Sequence, residues 1–313
     1  MLWRMRMSNK DKLNEIVGEH LGKAGDGSAV NPYITPDAKD KSLLVPVPRD
    51  LNRTDYNITD DDFVGFDTWN CYEVSALLSN GYPISGVVKI VYPCDSPSIV
   101  ESKSLKLYLN SFNMWDVGSD VSSAVNKIHN SIKQDLDEAL ECNVDVRFFR
   151  FDVEGKAVDT NKFKRLEDLV DIETVIFDAY EENPDIIEVV DEIAPFTVTT
   201  SVLRSNCRVT NQPDWGDIFI AIEGEGKKPT AESLLKYIVS MRRENHFHEE
   251  ICEAVYKRLV DKCPEQDVLV TCLYTRRGGI DINPTRATGM DMIEKYNLDL
   301  VDVNVFHQKT ARQ

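Results

Sequence analysis

The chain has 313 residues, 42% of them apolar, and 36 basic against 53 acidic side chains give it a formal charge of −17. That length carries two cores of ordinary size, and that charge excludes a protein that coats nucleic acid through a general basic surface. No apolar run reaches the roughly eighteen residues of a membrane span, and residues 1 to 7 lack the apolar stretch of a signal peptide, so the expected location is cytoplasmic.

Residues 1 to about 40 are polar and rich in Gly, Asp and Lys, and read as an arm that is mobile or wrapped on the surface. Residues 69–78 and 84–92 are strand-like and meet at Ser79-Asn80-Gly81, a hairpin signal. Beyond a loop with Pro93 and Pro97, Leu105, Tyr108, Leu109 and Phe112 mark one face of a helix, although the alternation of Leu105, Leu107 and Leu109 fits a strand as well. Val121, Val125, Ile128, Ile132, Leu136 and Leu140 form a helical stripe, and residues 144–151 close the unit as a strand. Residues 181–192 hold six acids and no base around Pro184, which predicts an exposed connector between halves.

A second unit follows, with strands predicted over 196–203, 218–222 and 268–274 and helices over 234–241 and 251–260. Both halves therefore read β-β-α-α-β, with room for a further strand at each end. Residues 104–112 align with 233–241, sharing Ser, Leu, Tyr and Ser, which reads as a duplication. The second copy opens on Pro229-Thr230, a helix start, so both copies are predicted to be helices.

The seven cysteines, at 71, 94, 142, 207, 252, 263 and 272, are odd in number, irregular in spacing and without a Cys-x-x-Cys pair, and are expected to be reduced and mostly buried. Cys207 differs in having polar neighbours, Asn206, Arg208, Asn211 and Gln212, on a connection rich in turn formers. Its thiolate suits an unsaturated carbon such as a nitrile, a carbonyl or an activated ring carbon. Seven positions on, Asp214 lies between Pro213 and Trp215; an indole beside a carboxyl is expected to raise its pKa and keep a proton ready for transfer. The plainer alternative is an aspartate that caps the turn before the next strand.

His248 and Glu249 open a helical pattern, where a carboxylate can accept two hydrogen bonds from the N–H/NH₂ edge of a guanine-like ring or serve only as a first-turn acid favoured by the helix dipole. His248 and Cys252, four apart, are at most half of a zinc set, and no second pair accompanies them. Basic residues gather at Lys103 and Lys106, at Arg242 and Arg243, and at Arg276-Arg277-Gly278-Gly279, where a phosphate could meet guanidinium and backbone N–H together. Neither a Gly-x-Gly-x-x-Gly nor a Walker sequence is present.

Taken together, Glu101-Ser102-Lys103-Ser104 with its helix, Ser205-Asn206-Cys207, Gln212-Pro213-Asp214-Trp215-Gly216, Phe247-His248-Glu249 and Tyr274-Thr275-Arg276-Arg277-Gly278-Gly279-Ile280-Asp281-Ile282-Asn283-Pro284 closely resemble the QueF family of NADPH-dependent 7-cyano-7-deazaguanine reductases in its two-module form. The resemblance implies an α+β tunnelling fold (T-fold) of two ββααββ modules in tandem. It divides the chain into an arm at 1–40, a first module at 41–155, an acidic connector at 156–195 and a second module at 196–313. It also implies reduction of a nitrile to a primary amine with two NADPH in queuosine biosynthesis, by a homodimer that uses no metal and touches no nucleic acid directly. By position, Cys207 resembles the nucleophile that forms a thioimide and Asp214 the proton donor. Val100, Glu101, Ser102, His248 and Glu249 resemble the substrate contacts, and Ser102, Lys103, Arg277 and Gly278 the NADPH contacts. In the first module the counterpart of 205–216 is expected to have shrunk to the tight turn at Asn80-Gly81. In the second, the Glu-Ser-Lys-Ser segment has decayed to Glu232-Ser233-Leu234, so one composite site per chain is expected. Thr285 stands where the resemblance leads one to expect a larger aromatic, which bears on rim contacts, and the arm at 1–40 has no counterpart. The rival readings are a non-catalytic pterin- or purine-binding module of the same fold and a zinc-dependent cyclohydrolase-type enzyme.

Overall fold

The computed structural model describes residues 36–150, 153–310 and 313; most of the arm expected at 1–40 lies outside them. Alternating side chains make seven long strands, as a period of two demands. In the first half these are β1 (Val64–Leu77), β2 (Pro83–Pro93) and β3 (Asp145–Arg150). The second half supplies β4 (Phe196–Cys207), β5 (Pro213–Glu223), β6 (Asp267–Tyr274) and β7 (Ile280–Ala287). They form one antiparallel sheet in the order β4-β5-β6-β7-β1-β2-β3, in which Ile280 to Ala287 pair with Cys71 to Val64 and so join the two halves edge to edge.

Four helices lie on one face. α1 (Ser102–Asn110) and α2 (Val121–Leu140) belong to the first half, α3 (Ala231–Ser240) and α4 (His248–Lys262) to the second. The ambiguous segment at 105–109 is thus a helix, and so is its copy. In α2 the predicted stripe is buried at Ile128, Ile132, Leu136 and Leu140, whereas Val121 is exposed because Asp120 caps the helix there by accepting from Ser123 N. Each such buried side chain stabilises by roughly 1.5–3 kcal/mol. The two cores exchange residues: Ile280 and Ile282 of β7 pack in the first, while Ile58, Phe63 and Cys94 pack in the second.

The acidic stretch is not simply an exposed connector. Ile187 is buried in the second core, Val189–Glu192 pairs with Gly226–Pro229, and Glu182 takes the hydroxyl of Tyr237 and the guanidinium of Arg258. Acids counted along a sequence do not reveal that apolar Ile187, buried Tyr237 and half-buried Arg258 hold the segment down. The opposite face of the sheet is covered by α5 (Met290–Tyr296) and the residues after it, over Phe219, Leu269 and Leu273. Thr285 lies on that face, its hydroxyl 3.0 Å from that of Thr271. It is therefore a sheet-packing residue, not a rim contact.

Candidate active site

The hairpin between β4 and β5 presents the reactive groups. Ser205 pairs with Asp214 and Asn206 with Pro213, and the tip closes through Cys207 N to Gln212 O at 2.8 Å and Asn211 N to Cys207 O at 2.9 Å. Asn211 has φ 55, in the left-handed region that asparagine tolerates. Side chains alternate across a strand, so Cys207, Ser205 and Asp214 share the face on which the helices lie. The connection expected to carry Cys207 and Asp214 is shorter than the sequence suggested: Cys207 ends one strand and Asp214 is the second residue of the next. Cys207 is half-buried and unbridged.

Asp214 is buried between His248 and Arg277. His248 Nε2 lies 3.4 Å from Oδ2, and Arg277 Nη1 donates to Oδ1. Burial alone would raise its pKa, but the bond and charge of His248 and then those of Arg277 outweigh it and hold the carboxyl below the usual carboxylate range. This corrects the expectation of a raised pKa. The neighbouring indole is not what the carboxyl meets: Trp215 carries Arg242 over its ring at 5.4 Å.

His248 is the first residue of α4. Its ring stacks on Tyr274, with centroids 3.8 Å apart and planes within 4°, and its Nδ1 is buried without a hydrogen-bond partner. The helix start is fixed on two sides. Phe247 packs with Val209 from the hairpin tip and with Val47 and Ile99 from the first half. Glu250 Oε2 accepts from Phe247 N at 3.2 Å, from Arg208 Nη1 at 2.9 Å and lies 2.9 Å from His246 Nδ1, tying the residue after Cys207 to the first turn of α4. Burial would lower the pKa of His246, but Glu244 and Glu250 together push it up to about 9.

Glu249 follows at 3% exposure, and its Oε1 has no partner. Burial, with the charge of Asp67 adding to it, pushes this carboxyl up to about 8 against the pull of Arg49 and Arg286.

From the first half, Val100 ends the short strand Ser98–Val100, buried and paired with Pro46. Glu101 caps α1, accepting from Lys103 N at 3.1 Å and Ser104 N at 2.7 Å; Ser102 and Lys103 form the first turn. Among the described residues no hydrogen bond or ion pair joins Glu101 to Cys207, Asp214 or Glu249. At this site the second half meets the first instead at Gly278, next to Arg277. Arg277 Nη2 donates to Gln212 Oε1 at 2.7 Å while Nη1 serves Asp214. Gly278, at φ +56, lies so close to Lys106 that an added Cβ would meet its Nζ at 3.3 Å. A guanidinium, a left-handed glycine and the start of a helix with two lysines fit the phosphates of a dinucleotide.

Sequence reasoning placed Tyr274 and Gln212 in its motifs without giving them a role, and missed a group of buried charges made of Arg49, Arg53, Asp67, Glu253 and Arg286. Asp67 and Arg286 sit inside strands, and a charge in such a run was the available signal. Among the described residues no three His, Cys, Asp or Glu side chains gather as a metal ion needs. Cys252 faces the carbonyls of Val270 and Pro284 in the core, at 3.5 and 3.6 Å, and does not converge with His248.

Two family profiles match the chain. One described as nitrile reductase, 7-cyano-7-deazaguanine-reductase N-term covers residues 35–148, and one described as QueF-like protein covers 213–292. The chain is 37% identical over 290 residues to the NADPH-dependent 7-cyano-7-deazaguanine reductase of Legionella pneumophila (strain Lens), spanning 92% of this chain and 98% of that one. It is 36% identical to the protein of that name from Coxiella burnetii (strain Dugway 5J108-111), over 79% of this chain and 86% of that one. Against the one from Cupriavidus metallidurans the identity is 39%, over 79% and 87%.

Proposed function

From the premise that this chain belongs to the QueF family of NADPH-dependent 7-cyano-7-deazaguanine reductases, we propose that it reduces the nitrile of 7-cyano-7-deazaguanine to 7-aminomethyl-7-deazaguanine through a thioimide on Cys207. The observation that carries this reading is the β4–β5 hairpin, which turns Cys207 and Asp214 to one face and sets Asp214 against His248. The sulfur of Cys207 forms a bond to the nitrile carbon as one π-bond of the C≡N opens, and the nitrogen takes a proton from Asp214. In the free protein Asp214 is held as a carboxylate by His248 and Arg277, so its proton arrives as the pocket fills, with His248 the group in reach to deliver it. NADPH, used twice, supplies hydride to that carbon, and each time the C=N π pair passes to nitrogen, which takes up a proton. Between the two reductions the C–S bond breaks, its electron pair returns to Cys207, and the nitrogen, giving up a proton, uses its lone pair to form the C=N of an imine.

Glu249 is the group that accepts the N–H edge of the ring; holding the ring by that edge sets the nitrile against sulfur, an orientation effect. Val100, Glu101, Ser102 and His248 complete the substrate pocket. Ser102, Lys103, Arg277 and Gly278 hold the cofactor, a reading supported by the approach of Gly278 to Lys106. The halves at 41–155 and 196–313 are tandem modules of the tunnelling fold joined through 156–195, in a cytoplasmic homodimer. No helix among the described residues is long and apolar enough to cross a membrane.

The test is intact mass after incubation with the nitrile and no NADPH. The expected result is a gain equal to the whole nitrile, absent in Cys207→Ala, together with NADPH oxidation that depends on the nitrile and is lost in the variant. An adduct that persists in Cys207→Ala overturns the mechanism.

A further inference from the structure

Five charges that this chemistry does not use lie behind Glu249. Arg49, Arg53, Asp67, Glu253 and Arg286 are each no more than 5% exposed. Asp67 bridges two arginines, with Oδ2 2.5 Å from Arg49 Nη2 and Oδ1 2.8 Å from Arg286 Nη1. Glu253 Oε1 takes Arg286 Nη2 at 2.8 Å and Arg53 Nη2 at 2.7 Å. Burial would raise both carboxyls, but the arginines hold both below the usual range. The residues come from four separate places: the entry to the short helix Asp50–Tyr56, strand β1, helix α4 and strand β7.

Such a network is poorly explained by stability alone. Desolvating ion pairs costs so much that apolar side chains of the same volume often serve as well or better. Its position is more informative. Glu253 lies one helical turn beyond Glu249, on the same side of α4. Asp67 pairs with Tyr92 across β1 and β2, and both Asp67 and Tyr92 feel the charge of Glu249, as do Arg49 and Arg286. His248 and Glu253 are its neighbours along the helix. The unpartnered Oε1 of Glu249 and the unpartnered hydroxyl of Tyr92 are two buried polar atoms left open beside the network, where Asp67 Oδ1 meets Arg286 as an ion pair without a hydrogen bond.

We propose that Arg49, Asp67 and Arg286 are positioning residues for substrate recognition, fixing the place and the charge of the Glu249 carboxyl so that only a ring bringing N–H donors satisfies it. This rests on the reading of Glu249 as the substrate carboxylate. The signs are opposite for the two kinds of neighbour. Removing the negative charge of Asp67 makes an ionised Glu249 less costly and lowers its titration midpoint; removing the positive charge of Arg49 raises it. Since the ionised carboxyl accepts the N–H edge, kcat/KM for the nitrile rises with pH through that midpoint.

The experiment titrates ligand-free protein carrying ¹³C-carboxyl glutamate, the Glu249 signal being assigned by its loss in Glu249→Gln, alongside kcat/KM against pH at saturating NADPH. Asp67→Asn should move the midpoint and the rise in kcat/KM down by about one unit or more, and Arg49→Gln should move both up by a similar amount. Arg49→Lys keeps the charge but loses the planar fork, so the midpoint should stay while KM for the nitrile rises roughly tenfold. Folded variants whose melting temperature falls while the midpoint stands still would show a merely structural network and overturn the proposal. A wild-type Glu249 that titrates in the ordinary carboxylate range overturns it without any variant, so misfolding of a variant leaves the question decided. Should Glu249→Gln leave KM unchanged, the substrate reading of Glu249 fails, and the titrations still report whether the network holds that carboxyl.

Discussion

The hairpins β1–β2 and β4–β5 share one construction and differ at two positions that matter. Each has a bulge, between Cys71 and Val74 in one and between Thr200 and Leu203 in the other, and each places a glycine, Gly86 or Gly216, opposite the residue that ends the bulge. Each pairs a proline, Pro83 or Pro213, next to the tip. The tip closes from Leu78 N to Tyr82 O in the first and from Cys207 N to Gln212 O in the second, a turn longer by a single residue. The expected shrinkage of the first loop is therefore only one residue. In this register Leu78 stands where Cys207 stands and Ile84 where Asp214 stands, and both apolar residues are buried. One scaffold fills the place with core in one half and with the cysteine and aspartate of the proposed site in the other.

Copying the first hairpin into the second breaks that comparison most severely. Asp214→Ile takes away the proposed proton donor but leaves the strand pairing and gives the site the residue its counterpart already uses. NADPH oxidation with the nitrile should fall by roughly 10²–10⁴-fold, while Tm moves by less than about 4 °C. A variant that keeps its rate would mean that the proton comes from another group.

The glycines sharpen the comparison at the next level of effect. A Cβ at Gly86 would meet Phe149 O at 2.3 Å, whereas at Gly216 it would meet Leu273 O at 3.0 Å and the ring of Tyr274 at 3.3 Å. Gly86→Ala should cost about 1–3 kcal/mol in chemical denaturation and leave kcat alone, since its neighbours are strand β3 and not the site. Gly216→Ala should cost less stability but raise KM, because Tyr274 carries His248 on its ring. If both variants lose stability and activity in the same proportion, the two glycines do not divide the work in this way.

The sequence displayed the helices and most strands because their apolar periods are long. It also displayed Cys207, Asp214, His248 and Glu249, since each is a reactive or charged type at a turn or a helix start. The register that relates the hairpins was written there as Pro83-Ile84-Ser85-Gly86 against Pro213-Asp214-Trp215-Gly216, but two bulges, which shift register without marking composition, hid it. The same limit applied to β5, predicted from 218 and observed from Pro213: Asp214 and Gly216 are poor strand formers, and it is pairing with β4 and β6 that extends them. The ionisation of Asp214 was not legible because Arg277 and His248 reach it from far along the chain. Nor was the network around Asp67, whose partners lie up to about two hundred residues away in sequence.

The smallest effect separates cap from site. Helices α1 and α3 keep the same internal bonds, Ser111 Oγ to Tyr108 O at 2.6 Å and Ser240 Oγ to Tyr237 O at 2.7 Å. Their tyrosine hydroxyls each find an acid, Asp135 or Glu182. At their starts, Glu101 N donates to Val45 O and Thr230 N to Glu188 O, both at 2.9 Å. The capping side chain differs, and only the first start is followed by a lysine, Lys106, set against Gly278. Thr230→Ala removes an acceptor for Ser233 N and should cost about 1 kcal/mol, at the low end because Ser233 Oγ still donates to Glu188 O at 3.1 Å. Denaturant midpoints should register that loss while KM for nitrile and for NADPH stays at wild-type values. A shift in either KM would place the start of α3 within reach of the site and dissolve the division between a helix end that only caps and one that also binds.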